Sequence, residues 1–345
     1  MEKQFNPTDP LTPVPEAAAA IPEPAVDLAL AKKHFSLLGL GTFVILAAAQ
    51  LAVFPVAALA DLLWPGWAAH DWGLWIVNYI PLYLIAVPLG LLVFRLVPKA
   101  APAVRRLKPG YLAVVTLICF FLMYAGNFAG IFLTGLLQLI PGVTAMNPVA
   151  AMVSSTALLP RALIVVVAAP LIEEYLFRKV LIDRMGVYGQ KTAVVVSAAL
   201  FGLFHGNLSQ FFYAFALGLV FGYVYITSGK LRYSVGMHML INFLGGVFAP
   251  MLLEGIPITE EGLLEMEALT AALPWLVGLI LYAFSLVGLS LAGLVLLCVY
   301  RKKIVFAPAP LELPGSSRLR TVWCNVGMIL SIAGCLVMIG ISLFA

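Results

Sequence analysis

The run Ala169-Pro170-Leu171-Ile172-Glu173-Glu174-Tyr175-Leu176-Phe177-Arg178 places two adjacent carboxylates and a guanidinium inside an otherwise apolar segment, about residues 162–182. Its surroundings decide the fold. Of the 345 residues, 63% are hydrophobic and 10% charged, and the mean hydropathy is +1.05. Soluble domains are about 45–50% apolar and about 25% charged, so a soluble globular enzyme is excluded and the solvent is a bilayer.

A spanning helix needs about 20 mostly apolar residues to cross about 30 Å of hydrocarbon. Nine stretches meet or approach that length, at about 36–60, 74–97, 111–140, 162–182, 191–206, 210–229, 234–253, 274–300 and 321–344. The fifth is short for a full span and meets the sixth at the polar break Gly206-Asn207-Leu208-Ser209. The fold expected is an all-α, polytopic transmembrane bundle of eight to nine spans. Lys and Arg crowd alternate loops (Arg95 to Lys108, Lys179 to Lys191, Lys230 and Arg232, Arg301 to Arg320), whereas Asp61, Asp71, Glu254, Glu260, Glu261, Glu265 and Glu267 fall in the others. Cytoplasmic loops keep the basic excess, which puts the amino terminus in the cytoplasm and the carboxyl terminus outside. The chain divides into a disordered cytoplasmic tail (1–33), amino-terminal spans (34–160), a central core (161–250), an acidic outer loop (251–272) and carboxyl-terminal spans (273–345) with a Pro-rich loop at 301–320. The four cysteines form no C-x-x-C pair, so neither a disulfide framework nor a thiolate zinc site is indicated.

Eight of the nine stretches carry no charge away from their ends; the fourth does. A carboxylate at the centre of a span costs about 2.5–3.5 kcal/mol on insertion scales, so two together need a partner or a function. Arg178 lies i+4 from Glu174, where it can hold that carboxylate bidentately. Glu173, rotated by about 100°, is left for another partner. Later stretches contribute His205, in Phe201-Gly202-Leu203-Phe204-His205, and His238, which shares a helix face with Asn242. Counted at about 1.5 Å per residue from the inner edge, all of these fall at depths that allow convergence in the inner half of the membrane.

This constellation suits hydrolysis. Glu173 can take a proton from water as general base, His205 can share that task, and His238 with Asn242 can stabilise an oxyanion. Alternatively, Glu173, His205 and His238 supply the carboxylate and two imidazoles of a catalytic zinc site with water in the fourth position. Both mechanisms stay open on the sequence. The bland readings are an ion cluster fixing helix packing, a satisfied core histidine, and Asn242 as interhelical glue. Gly126-x-x-x-Gly130, Gly202-x-x-x-Gly206 and Gly218-x-x-x-Gly222 read as close helix contacts, and Asn78, Asn127 and Gln138 as packing polar groups. H-E-x-x-H, G-x-S-x-G and G-x-x-x-x-G-K-[ST] are all absent from the sequence.

Glu173-Glu174-x-x-x-Arg178, Phe201-x-x-x-His205 and His238-x-x-x-Asn242, in that order, resemble the motifs of the CPBP family of intramembrane proteases, which includes the type II CAAX prenyl endopeptidases and the bacterial Abi-like, bacteriocin-processing proteins. Thr227-Ser228-Gly229-Lys230-Leu231 is similar to that family's lead-in to the last motif, and the resemblance covers about 161–250. It implies an intramembrane endopeptidase acting near the cytoplasmic side of a plasma membrane on a membrane-associated or prenylated peptide. Glu173, Glu174, Arg178, His205, His238 and Asn242 would form its active site, with zinc as the cofactor only in the metal version. Two readings from other classes stand beside it, a catalytically silent member serving bacteriocin immunity or partner binding, and a proton-coupled transporter. The basic residues are spread over loops, so nucleic acid is not an expected partner.

Overall fold

The structure is a computed structural model that describes residues 26–145, 157–256 and 269–344. The expected tail falls largely outside these residues, as does much of the acidic loop, including Glu260, Glu261, Glu265 and Glu267. The described residues contain helices and no strands.

We number the helices α1 (Leu28–Leu63), α2 (Asp71–Phe94), α3 (Pro109–Leu137), α4 (158–185), α5 (Gln190–Phe204), α6 (Leu208–Ser228), α7 (Leu231–Glu254), α8 (Thr270–Lys303), α9 (Gly315–Trp323) and α10 (Val326–Phe344). Seven of them, α1, α2, α3, α6, α7, α8 and α10, are long and apolar enough to cross a membrane, so the chain is a multi-pass membrane protein. The remaining two expected spans are the charged α4 and the 15-residue α5. At about 1.5 Å per residue, α5 reaches only about 22 Å. The last expected span differs in its start. Asn325 breaks the helix there, its amide donating to the Thr321 and Val322 carbonyls while its Oδ1 accepts the Met328 N–H at 3.0 Å. It therefore caps α10 and leaves residues 321–323 to α9.

Large apolar side chains lie outward all round the bundle, Phe54 being 75% and Phe284 73% exposed. In a bilayer that outer surface meets lipid tails, while the helices satisfy their own backbone groups. The interior is built from α1, α2, α4 and α5, where Phe35, Phe94, Phe177, Leu181, Val194 and Phe201 are buried together. Small residues let other helices approach closely. Gly126 and Gly130 of α3 meet the α6 backbone at Tyr213 and Ser209, and Gly202 of α5 meets it at Phe211.

The connections sort onto two ends. His34 Nδ1 is 2.6 Å from Tyr188 Oη, Ala100 N–H donates to Asp183 O at 2.6 Å, and Arg105 N–H donates to Ser228 O at 2.8 Å. The Pro-rich stretch is tied to the same end by Leu311 and Leu313, whose N–H groups donate to Val187 and Tyr188. The basic loops collect here, at the basic end of the bundle. At the other end, Thr144 N–H donates to Leu343 O at 2.9 Å, and buried Arg161 pairs with Glu254 at 2.8 Å.

Candidate active site

Helix α4 carries the charged run and is not a regular α-helix. Its ladder widens to i→i+5 over Ala162–Ala168 and again over Tyr175–Ile182, on either side of the Ala169–Glu174 turn. Pro170 brings no N–H to this ladder, a known cause of such widening. Each widened turn resets the rotational phase of the residues after it, and such turns are frequent at functional sites.

Glu174 and Arg178 are both fully buried and form the expected pair, with Arg178 Nε and Nη2 donating to the two Glu174 oxygens at 3.0 and 3.2 Å. The guanidinium is satisfied further by Ser197 of α5. Its Nη1 donates to Ser197 Oγ at 3.1 Å, and that hydroxyl donates to the Phe177 carbonyl at 2.6 Å. The rings of Phe201 and Phe221 lie 4.7 and 5.8 Å from the Arg178 Cζ, adding cation–π contact on an apolar lining. A buried charge pair is tolerated where such extra hydrogen bonds and contacts complete it.

His238 of α7 reaches this pair from the opposite side. Its Nδ1 is 3.1 Å from Glu174 Oε1, and its Nε2 is 3.7 Å from Glu173 Oε2. A carboxylate only accepts, so Nδ1 carries the proton, and Nε2 is the nitrogen turned toward Glu173. The ring is stacked on Phe221 at 5.4 Å and meets Phe201 edge-on at 5.8 Å, which fixes its plane.

His205 ends α5. Its Nδ1 donates to Phe201 O at 2.8 Å, leaving Nε2 as the available nitrogen. The next turn is shaped by two residues. Gly206 takes φ +65°, open to glycine without strain. Asn207 caps α6 by accepting the Gln210 N–H at 2.9 Å and donates back to His205 O at 2.9 Å.

Glu173 and His205 line one cavity of about 260 Å³. Glu173 keeps 27% of its side chain exposed, so of the two glutamates it alone is accessible. Helix α2 supplies the facing wall through Asn78, Tyr79 and Tyr83, and Gln210 closes one side. His238 stands behind Glu173 rather than on the cavity surface. Asn242 is further removed, its Nδ2 donating to Val165 O at 2.8 Å. The structure thus joins Glu173 to His205 through the cavity and Glu173 to His238 through their contact, and it holds Asn242 on the α4 backbone.

The α2 wall and Ser197 are not evident in the sequence. Asn78 stands out there only as a polar group in an apolar span, and Tyr79 and Tyr83 succeed it at i+1 and i+5. Three polar tips on adjacent turns are the one signal that points to this wall.

Chemically, one partly exposed carboxylate and an imidazole with a free Nε2 share a space with room for water and for part of a substrate. Zinc fits this set only in part. Both imidazoles are fixed through Nδ1, as metal-ligating histidines are. Among the described residues, however, no three His, Cys, Asp or Glu side chains gather as a metal site requires.

Comparison with known proteins adds one match. Residues 155–244 fit the family model described as type II CAAX prenyl endopeptidase Rce1-like. The matched region contains Glu173, Glu174, Arg178, His205, His238 and Asn242, and it leaves α1 to α3 and α8 to α10 outside. No curated protein and no solved structure matches the chain.

Proposed function

We propose, from the match of residues 155–244 to the type II CAAX prenyl endopeptidase Rce1-like model, that this chain is an intramembrane endopeptidase that hydrolyses a peptide bond using Glu173 and His205. The observation that carries the reading is their meeting on one cavity, with Glu174 withdrawn into a buried ion pair behind them.

In the proposed reaction, a water in the cavity gives a proton to Glu173 as its oxygen bonds to the scissile carbonyl carbon. The carbonyl π electrons move onto oxygen. His205 Nε2 accepts a hydrogen bond from the second water O–H, which stays on the oxygen, and so orients the nucleophile. The oxyanion electrons then re-form the C=O bond as the C–N bond breaks, and the proton held by Glu173 passes to the leaving amide nitrogen. Oxyanion stabilisation falls to His238 and Asn242. For His238 this requires a proton on Nε2, since Nδ1–H is engaged by Glu174. For Asn242 it requires the second Nδ2 hydrogen, the first being donated to Val165. Water enters as the only co-reactant and no step is routed through a metal.

The basic end is assigned to the cytoplasmic side by the positive-inside rule, and the plasma membrane is the membrane proposed. The amino terminus and the α4–α5 turn then face the cytoplasm, and a membrane-associated or prenylated peptide would enter from that side. Purified Glu173→Gln protein in detergent tests the proposal. It is expected to lose cleavage of a membrane-anchored peptide by at least about 100-fold while melting with the wild type, and retained cleavage would overturn the reading.

A further inference from the structure

Away from the Glu173 cavity, an apolar groove of about 690 Å³ runs between α3, α5, α6 and α8. Ile118, Leu122, Val194, Val195, Leu219 and Val220 are among the apolar residues of its wall. At the basic end its character changes, and Lys191, Lys303, Tyr111, Tyr223 and Tyr300 surround the mouth. The segment after α8 is fastened over that mouth. Ala307 N–H donates to Gln190 Oε1 at 2.9 Å, and Phe306 meets Tyr223 edge-on at 5.3 Å.

The two lysines are the informative feature. Among the described residues neither forms a salt bridge, and Lys303 makes only a cation–π contact, its Nζ lying 5.0 Å from the Tyr300 ring centroid. Glu312, the carboxylate of the 304–314 segment, is taken by Arg318 at 3.5 Å. Two ammonium groups at the interface end of an apolar slot, framed by tyrosines, are complementary to one chemistry, an anionic headgroup carrying a hydrocarbon chain.

We propose that this groove binds an anionic glycerophospholipid, with one acyl chain along α3 and α6 and the phosphate at Lys191 and Lys303. A zwitterionic lipid such as phosphatidylcholine brings a cation beside its phosphate and gains less from the two lysines, so the site discriminates by net headgroup charge. The volume lies within the usual range for a small-molecule site, and lipid binding here is independent of the peptidase chemistry.

Full-length protein in nanodiscs of equimolar phosphatidylglycerol and phosphatidylcholine, released and weighed by native mass spectrometry, tests this. Wild type is expected to retain phosphatidylglycerol over phosphatidylcholine by at least about tenfold, and Lys191→Ala/Lys303→Ala to bring that ratio near unity. Arg301→Ala/Lys302→Ala, which removes neighbouring charges outside the groove, is expected to keep the preference. Val195→Trp, filling the slot from an exposed position, is expected to lower retained phosphatidylglycerol with both lysines intact. Equal retention of the two lipids by wild type, equal loss in the two double variants, or full occupancy in Val195→Trp would each overturn the proposal.

Discussion

His238 Nδ1 lies 3.1 Å from Glu174 Oε1, so the glutamate already bound by Arg178 also sets the tautomer and the plane of an imidazole on another helix. Replacing Glu174 by Gln removes the negative charge between two potential cations and leaves the fully buried Arg178 without its counterion. Breaking a buried pair in this way costs about 3–5 kcal/mol. Glu174→Gln should therefore melt well below wild type in detergent and lose activity as a consequence. Glu173→Gln, with its side chain partly exposed, should melt within about 1 °C of wild type, since substitutions away from buried features usually change stability by about 0.5 kcal/mol or less. Scanning fluorimetry of the two variants side by side separates the roles. Equal melting temperatures would show that the adjacent glutamates are not divided between structure and chemistry.

His205 is expected to act on the rate of the chemical step. With its Nδ1 hydrogen on Phe201 O, only Nε2 faces the reaction. His205→Gln should lower kcat by about 10²–10⁴-fold, the usual contribution of a positioned acid–base group, with KM for a peptide substrate little changed. Steady-state kinetics with a quenched membrane-anchored peptide reads both values. A variant with raised KM and normal kcat would make His205 a binding residue.

The helices are legible in the sequence because hydrophobic length is a local property, and seven of the nine apolar stretches sit where helices run with boundaries only a few residues off, while α1 begins eight residues before the first stretch, at Leu28. Asn325 is not legible as a break, because Cys324-Asn325-Val326 interrupts the apolar run by a single polar side chain whose capping role needs three dimensions. Within the site, the Glu174–Arg178 pair is implied by i+4 spacing. The approach of His238 to both glutamates is not, since spacing gives the phase of a residue on its own helix but not how two helices are rotated against each other. In α4 the two widened turns shift even the internal phase. Asn242 reads from spacing as an oxyanion donor, and what spacing does not give is that one of its Nδ2 hydrogens is donated to the Val165 carbonyl of that same irregular helix.

The wall formed by α2 yields a prediction about substrate selection. Tyr79 and Tyr83 pack with ring centroids 5.3 Å apart across the cavity from Glu173, and they lie outside residues 155–244. They line the cavity in which a substrate side chain would sit and hold no group needed for proton transfer from water. Tyr79→Ala and Tyr83→Ala should each raise KM about 5- to 30-fold, corresponding to about 1–2 kcal/mol of lost apolar contact. Their kcat should stay within about threefold of wild type, and Phe at either position should restore KM. Loss of kcat with unchanged KM in the Phe variants would assign the hydroxyls a direct part in catalysis.

Zinc provides the sharpest contrast between the two hydrolytic mechanisms. In the metal version, Glu173, His205 and His238 must all bring donor atoms to within about 2.0–2.2 Å of one point. The Nε2 of His238 and Oε2 of Glu173, 3.7 Å apart, are compatible with a shared ion. His205 completes no three-residue cluster with them. Its ring is held instead by the Nδ1–H donation to the Phe201 carbonyl, on a helix that Ser197 and Gly202 pack against Arg178 and the α6 backbone. The expected outcome is purified, active enzyme with well under about 0.1 zinc per chain by plasma emission spectroscopy, and undiminished turnover after treatment with 1,10-phenanthroline. Metal at about one per chain, lost together with activity and restored by added zinc, would move Glu173 from base to ligand. That result would leave the cavity and its α2 wall in place but replace the proton transfer proposed for its floor.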